Sequence, residues 1–315
     1  MLRFLLRRLA GMIVTLFIIS ILIFLITEVV PVDPAKLAAG RWATKEAVEA
    51  IRKEFGLDRP AYVRYIDWIG SIILHGDFGK SIQFHRPVAS LIAERLKRSL
   101  ILAALGFCFM VPVGLALGCI AGINEGKLLD RILSLASSVM VSSPAFVAGV
   151  YLIVVFCLLL GWLPGTCTPR PGMSPLDLLM RLILPILTLS FDEVGYLTRF
   201  TRANMAEVMR KDYIRTAVLK GLPRRKVIFR HALRNALIAP FTAVMLHVNW
   251  LIGGVVVVEV LFNYPGLGQL ALKAAMGNDI FLVEGSTLVL TSVAVITQVI
   301  ADIGCYLLDP RIRFK

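Results

Sequence analysis

The residues of this chain that could carry chemistry are few and widely spaced. Ser142 and Ser143 supply hydroxyl groups beside Pro144, and His247 lies much further along the sequence. A serine with a histidine base can act as the nucleophile of a hydrolase, although neither G-x-S-x-G nor H-E-x-x-H surrounds these residues. A hydrolase is therefore one alternative, and product formation by the chain alone would identify it.

The glycine-rich stretch from Gly122 to Leu128 is a poor phosphate-binding loop. Such a loop needs four residues between its glycines and a Ser or Thr after the Lys, whereas this stretch has three residues and Leu128. The cysteines form neither a C-x-x-C pair nor a Cys/His metal spacing. We therefore expect no nucleotide, metal or other cofactor in this chain.

A polar stretch from Lys211 to Asn235 separates two apolar segments. Before and within it, small and apolar residues recur at spacings of three and four positions, which predicts one helix with a single apolar stripe. The residues of this stripe are Ala206, Met209, Tyr213 and Ala217.

Gly221 and Pro223 predict a turn after that helix. A Gly just past the last helical residue, with Pro soon after, is typical of a helix end, and Pro suits the start of the next helix. We therefore expect a helix, a tight turn and a short helix, with Arg224, Arg225 and Lys226 in an exposed basic knob. Binding of this loop to anionic lipid is an alternative to protein docking.

The composition indicates a membrane protein. The 315 residues are 57% hydrophobic and 17% charged, with a net charge of +13, which is far from a typical soluble domain. The basic residues lie in loops beside apolar runs without interleaved aromatic residues, so we do not expect nucleic acid binding.

Six apolar runs are long enough to cross a ~30 Å hydrocarbon core. They predict an all-α membrane protein of six transmembrane helices, with a large external insert between helices 1 and 2. The predicted spans are Leu9–Thr27, Ser99–Ile123, Arg131–Trp162, Leu176–Leu197, Asn235–Val258 and Val283–Leu308.

The third span is interrupted at Ser142, Ser143 and Pro144. Pro removes a backbone donor, and helix breaks at membrane depth are tolerated only against protein or a water-filled path. These residues are candidates for lining a translocation path, with a simple proline kink as the alternative. His247 and Asn249 fall near mid-bilayer, where polar groups usually face a bundle interior or a cavity, and are further path candidates.

Two other patterns lie in the predicted spans. Glycines recur every four residues from Gly114 to Gly122, which predicts a smooth helix face and close helix packing. Asp192 and Glu193 lie near the inner end of the fourth span. They could relay ions, be solvated at the interface, or pair with Arg199 or Arg202.

Residues 215–234 of the polar stretch partly match the loop pattern of one protein family, E-A-A-x-x-x-G-(x)9-I-x-L-P. Gly221 takes the Gly position, Thr216–Ala217 the two-Ala position and His231–Arg234 the I-x-L-P position. Arg215 replaces the Glu, Thr216 replaces an Ala, and His231 and Arg234 replace the Ile and the Pro. This loop resembles the docking loop of ABC importer permeases. Stretches that resemble the dipeptide/oligopeptide branch in particular are Tyr213–Ala217, Lys220–Leu222, Arg230–Asn235, Phe55–Pro60, Gly76–Ser81, Phe262–Gly268 and Leu308–Arg313.

The resemblance implies a type I ABC importer permease-like fold and a loop that docks onto an ATPase. It implies a heterodimer with a second homologous permease, two cytoplasmic ATPase subunits that bind ATP and Mg²⁺, an external substrate-binding protein and contact with membrane lipid. The implied docking residues are Tyr213, Arg215, Ala217, Gly221, Leu222, Pro223, Arg224 and Arg225.

Loop charges predict the orientation, because short cytoplasmic loops are enriched in Lys and Arg. They place both termini in the cytoplasm, and the resemblance implies a multi-pass protein of the bacterial inner membrane. The predicted regions are a first helix in 1–30, an external insert in 31–98, a five-helix core in 99–308 with the coupling loop 199–234, and a cytoplasmic tail in 309–315.

Peptides are the substrate that the resemblance favours, with nickel complexes, glutathione or sugar conjugates as alternatives. An ion-coupled secondary transporter is the alternative of another class, but the sequence lacks the inverted repeats that usually accompany it. Dependence of uptake on partner ATPases would separate the two classes.

Overall fold

The computed structural model describes residues 2–29, 35–36, 44–54, 56–168 and 172–308. Regular structure in these ranges is helical, apart from one isolated bridge between Lys80 and Pro87. The helices are α1 Leu2–Val29, α2 Lys45–Glu54, α3 Ala61–His75, α4 Val88–Ile123, α5 Leu128–Ser142, α6 Ala145–Leu152, α7 Pro175–Met209, α8 Asp212–Leu219, α9 Arg224–Lys226, α10 Leu233–Ala236, α11 Ile238–Leu261, α12 Leu267–Met276 and α13 Ile280–Leu308, and the π-helical segments are Ile153–Leu159 and Val227–Ala232.

Three of the described helices are long and apolar enough to cross a membrane, over Leu6–Glu28, Val88–Ile123 and Ile280–Tyr306. The pair Leu128–Ser142 and Ala145–Leu159 passes the same test together but is bent by 109° at its break. The all-α membrane fold is thus confirmed, while the count of six spans remains a prediction.

Two long helices extend beyond their predicted ends. α4 begins at Val88 rather than Ser99, because the residues between contain no Gly or Pro and several good helix formers. α7 likewise continues from the predicted end at Leu197 to Met209. The insert contains α2 and α3, and the Thr44 hydroxyl accepts a hydrogen bond from Ala47 N at 3.3 Å just before α2.

The described helices belong to two compact units. The first comprises Met1–Ser99 and Pro265–Val299, and the second comprises Leu100–Tyr264 and Ile300–Lys315. In the first unit, Val88, Leu267 and Leu282 are fully buried in one apolar cluster. A second cluster packs α1 against α3 through the aromatic side chains of Phe24, Tyr65 and Trp68.

In the second unit, the glycines of α4 lie directly against α7. A Cβ at Gly114 would lie 2.9 Å from Leu197, one at Gly118 would lie 2.5 Å from Thr201, and one at Gly122 would lie 2.6 Å from Met205. Side chains at these glycines would force the helices apart, so the predicted close packing is confirmed.

Candidate functional site

The polar loop begins with a break that the sequence did not predict. α7 ends at Met209 and α8 begins at Asp212, with extended backbone at Lys211 between them. The prediction of one continuous helix was therefore wrong. The restart changes the helical phase, so Ile214 is buried and Tyr213 is 40% exposed, and the Tyr213 hydroxyl accepts a hydrogen bond from Asn235 Nδ2 at 3.0 Å.

The turn after α8 has the geometry that its glycine predicts. Gly221 has φ +72°, where any side chain is disfavoured. Its N–H donates to Val218 O at 2.9 Å and the Leu222 N–H donates to Ala217 O at 3.3 Å, which is the Schellman pattern of helix ends. Pro223 then directly precedes the next short helix.

Apolar side chains hold this turn in place within the second unit. Ala217 is only 7% exposed, and Leu222 packs at the edge of the same cluster. Burial of such side chains stabilises the position of the loop. The buried members of this cluster, here called the brace, are Met205, Val208, Ile214, Ala217, Val227, Ala232 and Ala236.

Outside the brace, the loop exposes both basic and large apolar side chains. Val218, Leu219 and Phe229 are exposed by 57%, 79% and 66%. Sequence reasoning missed these three residues, although they lie off the predicted stripe and their position could have indicated exposure. The predicted docking residues that are exposed on the loop are Tyr213, Arg215, Gly221, Pro223, Arg224 and Arg225, whereas Leu222 is half-buried.

Two ion pairs join the region between α4 and α5, including the first turn of α5, to α7 and the residue that follows it. Asp130 is almost fully buried and accepts a hydrogen bond from Arg202 at 2.8 Å, and Arg210 donates to Glu125 at 2.6 Å. Of the alternatives for Glu193, pairing with Arg202 is therefore not the one observed, because Arg202 pairs with Asp130. Asp130 was missed because it occupies the first turn of α5, where an acidic residue is ordinary.

The break at Ser142, Ser143 and Pro144 is present between α5 and α6. Ser142 is exposed, and its hydroxyl donates to Ser138 O at 2.8 Å. Ser143 borders a cavity of about 300 Å³ whose other lining residues, among them Tyr151 and Phe191, are mainly apolar. The break therefore opens beside an apolar space rather than a polar one.

His247 is part of a polar contact inside the second unit. Its Nδ1 lies 3.0 Å from a carboxylate oxygen of Glu193, which is 5% exposed. The imidazole also stacks on Tyr196 with ring centroids 4.1 Å apart. Glu193 thus pairs with a histidine, which the sequence analysis did not foresee, and the side chain of Asn249 lies outside the described part of the structure.

These contacts give no support to a hydrolase. The Ser142 hydroxyl bonds to its own helix, and His247 is engaged by Glu193 and Tyr196. Among the residues that the structure describes, no group of three or more His, Cys, Asp or Glu is placed to hold a metal ion.

Two family models match the chain over most of its length. The model described as "Binding-protein-dependent transport system inner membrane component" matches residues 114–314. The model of the N-terminal part of the same components matches residues 1–103. The chain belongs to this family of transport permeases. It is therefore an inner membrane component of a binding-protein-dependent transport system.

Curated relatives of this permease cover it almost completely. A Brucella abortus (strain 2308) protein, provisionally named a peptide transport system permease protein, is 39% identical over 98% of both chains. A probable peptide ABC transporter permease protein of Sinorhizobium fredii is 36% identical over 99% of both chains. The glutathione transport system permease protein of Escherichia coli (strain K12) is 36% identical over 100% of both. The predicted ABC importer permease is thus confirmed, and nothing in these comparisons favours an ion-coupled transporter.

Proposed function

We propose that this permease forms half of a translocation path for short peptides. The relatives named for peptide and glutathione transport support this substrate class, since glutathione is itself a small peptide. No relative reported above is named for nickel complexes or sugar conjugates, so peptides remain the first expectation. Ser142, Ser143, Pro144, His247 and Asn249 are the proposed path residues.

The proposed complex contains a second, homologous permease, two cytoplasmic ATPase subunits and an external substrate-binding protein. The family description supports the binding protein directly. The ATPases would bind ATP and Mg²⁺, so this chain would couple their motion to the membrane helices and would not itself be an enzyme. We propose that residues 31–98 lie outside, and that the coupling loop 199–234 and both termini lie in the cytoplasm.

The exposed side of the loop is the observation that carries this proposal. Its buried side is fixed by the brace, while the side chains of Leu219, Phe229, Arg224 and Arg225 are all exposed. A rigid knob of apolar and basic side chains fits a groove on a partner protein. Because Gly221 stands at the tip with no neighbouring atom within 4 Å of an added Cβ, the partner can approach its backbone closely.

Gly221→Asp tests this docking in the complete transporter, reconstituted in vesicles with the binding protein. We expect normal insertion but at least a tenfold loss of uptake and of ATPase stimulation by substrate-loaded binding protein. The added side chain is strained by ~1 kcal/mol or more and projects into the docking surface.

Gly161→Asp is the matched control, because Gly161 also has positive φ (+64°) and no atom within 4 Å of an added Cβ. It lies in a predicted external loop, so the backbone strain is similar but docking is untouched. Full stimulation in Gly221→Asp, or equal loss in both variants, would contradict a docking role and favour contact with lipid.

Cysteine labelling tests the proposed orientation. Lys45→Cys should react with an impermeant maleimide added outside, and Arg225→Cys should react only after permeabilisation, since both positions are exposed. Cys108, which is exposed, is first replaced by Ser, whereas Cys167 can remain because burial raises the pKa of its thiol to about 12. The opposite labelling pattern would reverse the topology.

A further inference from the structure

The helix α3 of the insert carries two neighbouring apolar stripes, and only one of them is covered by protein. The covered stripe packs in the aromatic cluster that α3 shares with α1, and the other is 64% to 75% exposed along its length. Spacings of three, four and seven residues align each stripe along the helix. The covered residues are Tyr65, Trp68 and Ile72, and the exposed ones are Tyr62, Ile66 and Ile73.

The polar residues of α3 form a separate stripe of their own. Arg64, Asp67, Ser71 and His75 recur at spacings of three, four and four residues, which places them on one side of the helix. The Asp67 carboxylate accepts a hydrogen bond from Arg59 at 3.1 Å, and more than half of each of these two side chains is exposed. The helix therefore has one solvated polar side and one wide apolar side, which is typical of a helix that lies at a membrane surface.

Contacts with α1 place α3 beside one end of a membrane-crossing segment. Arg64 pairs with Glu28, which is the last residue of the apolar span Leu6–Glu28. The Tyr65 hydroxyl lies 2.8 Å from the Ser20 hydroxyl, and Ser20 precedes Glu28 by about two helical turns, or ~12 Å along the axis. α3 is therefore attached to the last ~12 Å of the span, a depth that includes the boundary between headgroups and acyl chains.

The same segment of α1 shows what lies against the exposed stripe. Leu22, Leu25 and Ile26 are each more than half exposed, and they belong to a span of an inner membrane component. Lipid therefore surrounds α1 at the depth where α3 is attached to it. A row of large apolar side chains facing water is unusual for a protein surface, whereas Tyr and Trp are enriched where a protein crosses the headgroup region.

We propose that α3 is a membrane-surface helix that anchors the insert to phospholipid. Tyr62, Ile66 and Ile73 insert among the upper acyl chains of the leaflet at the Glu28 end of α1, and Asp67 faces water. This surface goes beyond the proposed function, because it requires neither a transported substrate nor a particular orientation of the chain across the membrane.

Photocrosslinking identifies what covers the exposed stripe. The photoreactive residue p-benzoylphenylalanine replaces Ile66 or Ile73 in the complete transporter, in vesicles of phosphatidylethanolamine and phosphatidylglycerol. After illumination, mass spectrometry should find phospholipid attached at both positions. Asp67, on the polar side of the same helix, is the matched control and should give at least fivefold less lipid adduct. Attachment of Ile66 and Ile73 variants to a second permease or to the binding protein, or no lipid adduct at either position, would overturn the proposal.

A smaller probe keeps the test decisive if the bulky photoreactive residue displaces α3. Cys108 and Cys157, which are not buried, are first replaced by Ala, and Ile73→Cys or Asp67→Cys is then spin-labelled in the same vesicles. The label at Ile73 should collide several-fold more often with oxygen, which concentrates in the acyl chains, than with a water-soluble nickel complex. The label at Asp67 should show the opposite preference. Preferential collision with nickel at both positions would show that the stripe faces water and would contradict the proposal.

Discussion

The turn of the insert around Ser81 and the coupling loop around Gly221 are fixed in opposite ways. In the insert, the fully buried Asp279 accepts a hydrogen bond from the Ser81 hydroxyl at 2.5 Å and from Gln83 N at 3.0 Å. The same carboxylate accepts from Leu282 N at 3.2 Å at the start of α13. A single carboxylate therefore organises one turn of the insert.

The turn around Gly221, from Asp212 to Val227, holds no such buried polar centre among its described residues. Ile214, Ala217 and Val227 fix it through apolar burial, and its turn closes through backbone hydrogen bonds. Its basic side chains remain exposed. A turn whose polar groups are used internally is rigid but has little left to offer a partner, whereas a turn fixed by apolar burial keeps its charges available.

Asp279→Ala should have the largest effect on stability. The substitution leaves several buried donors without an acceptor, at a cost of about 3 kcal/mol or more in the free energy of unfolding. Thermal unfolding of the purified chain should show a midpoint lower by several degrees. Asp279→Asn keeps the shape and one acceptor oxygen and should lose less. An unchanged midpoint in Asp279→Ala would show that the Asp279 carboxylate does not hold the turn of the insert.

Ala217→Glu should have the next largest effect, and it should be local. An unpaired carboxylate cannot remain in the brace without a cost of several kcal/mol, so the loop should detach while the helices stay inserted. Trypsin should then cleave faster at Lys220 and Arg224, and ATPase stimulation should fall at least tenfold. Ala217→Ser, which adds only a small hydroxyl, is the control. Wild-type cleavage and stimulation in Ala217→Glu would show that burial does not hold the loop.

His247→Ala should have a smaller effect on uptake and stability. The result shows whether the His247 contact serves the translocation path or only stabilises the fold. The substitution leaves the buried Glu193 without its partner, which costs ~1–3 kcal/mol, and we expect uptake to fall several-fold. Asn249→Ala is measured beside it. Unchanged uptake in both variants would exclude His247 and Asn249 from the path. A lower unfolding midpoint with full uptake would show that His247, like Asp279, only stabilises the fold.

The sequence predicted the turns of the coupling loop correctly, but it did not predict which face of α8 is buried. The turn at Gly221 and the start of a helix after Pro223 follow from the conformations that Gly and Pro favour, so both were foreseen. The break at Lys211 was not foreseen, because an apolar stripe continues across it at helical spacing. The burial of Ile214 instead of Tyr213 depends on where α8 restarts.

The sequence alone determined the membrane character, the long apolar helices and the family, because hydropathy and short motifs are properties of neighbouring residues. The glycine spacing in α4 likewise predicted a close contact without naming the partner helix. Only the tertiary structure decided which partner each buried carboxylate takes. Asp130 pairs with Arg202, Glu193 with His247, and Asp279 with Ser81. Such pairs join residues far apart in the chain, and a buried charge takes whichever partner the packing of the helices brings within hydrogen-bond distance.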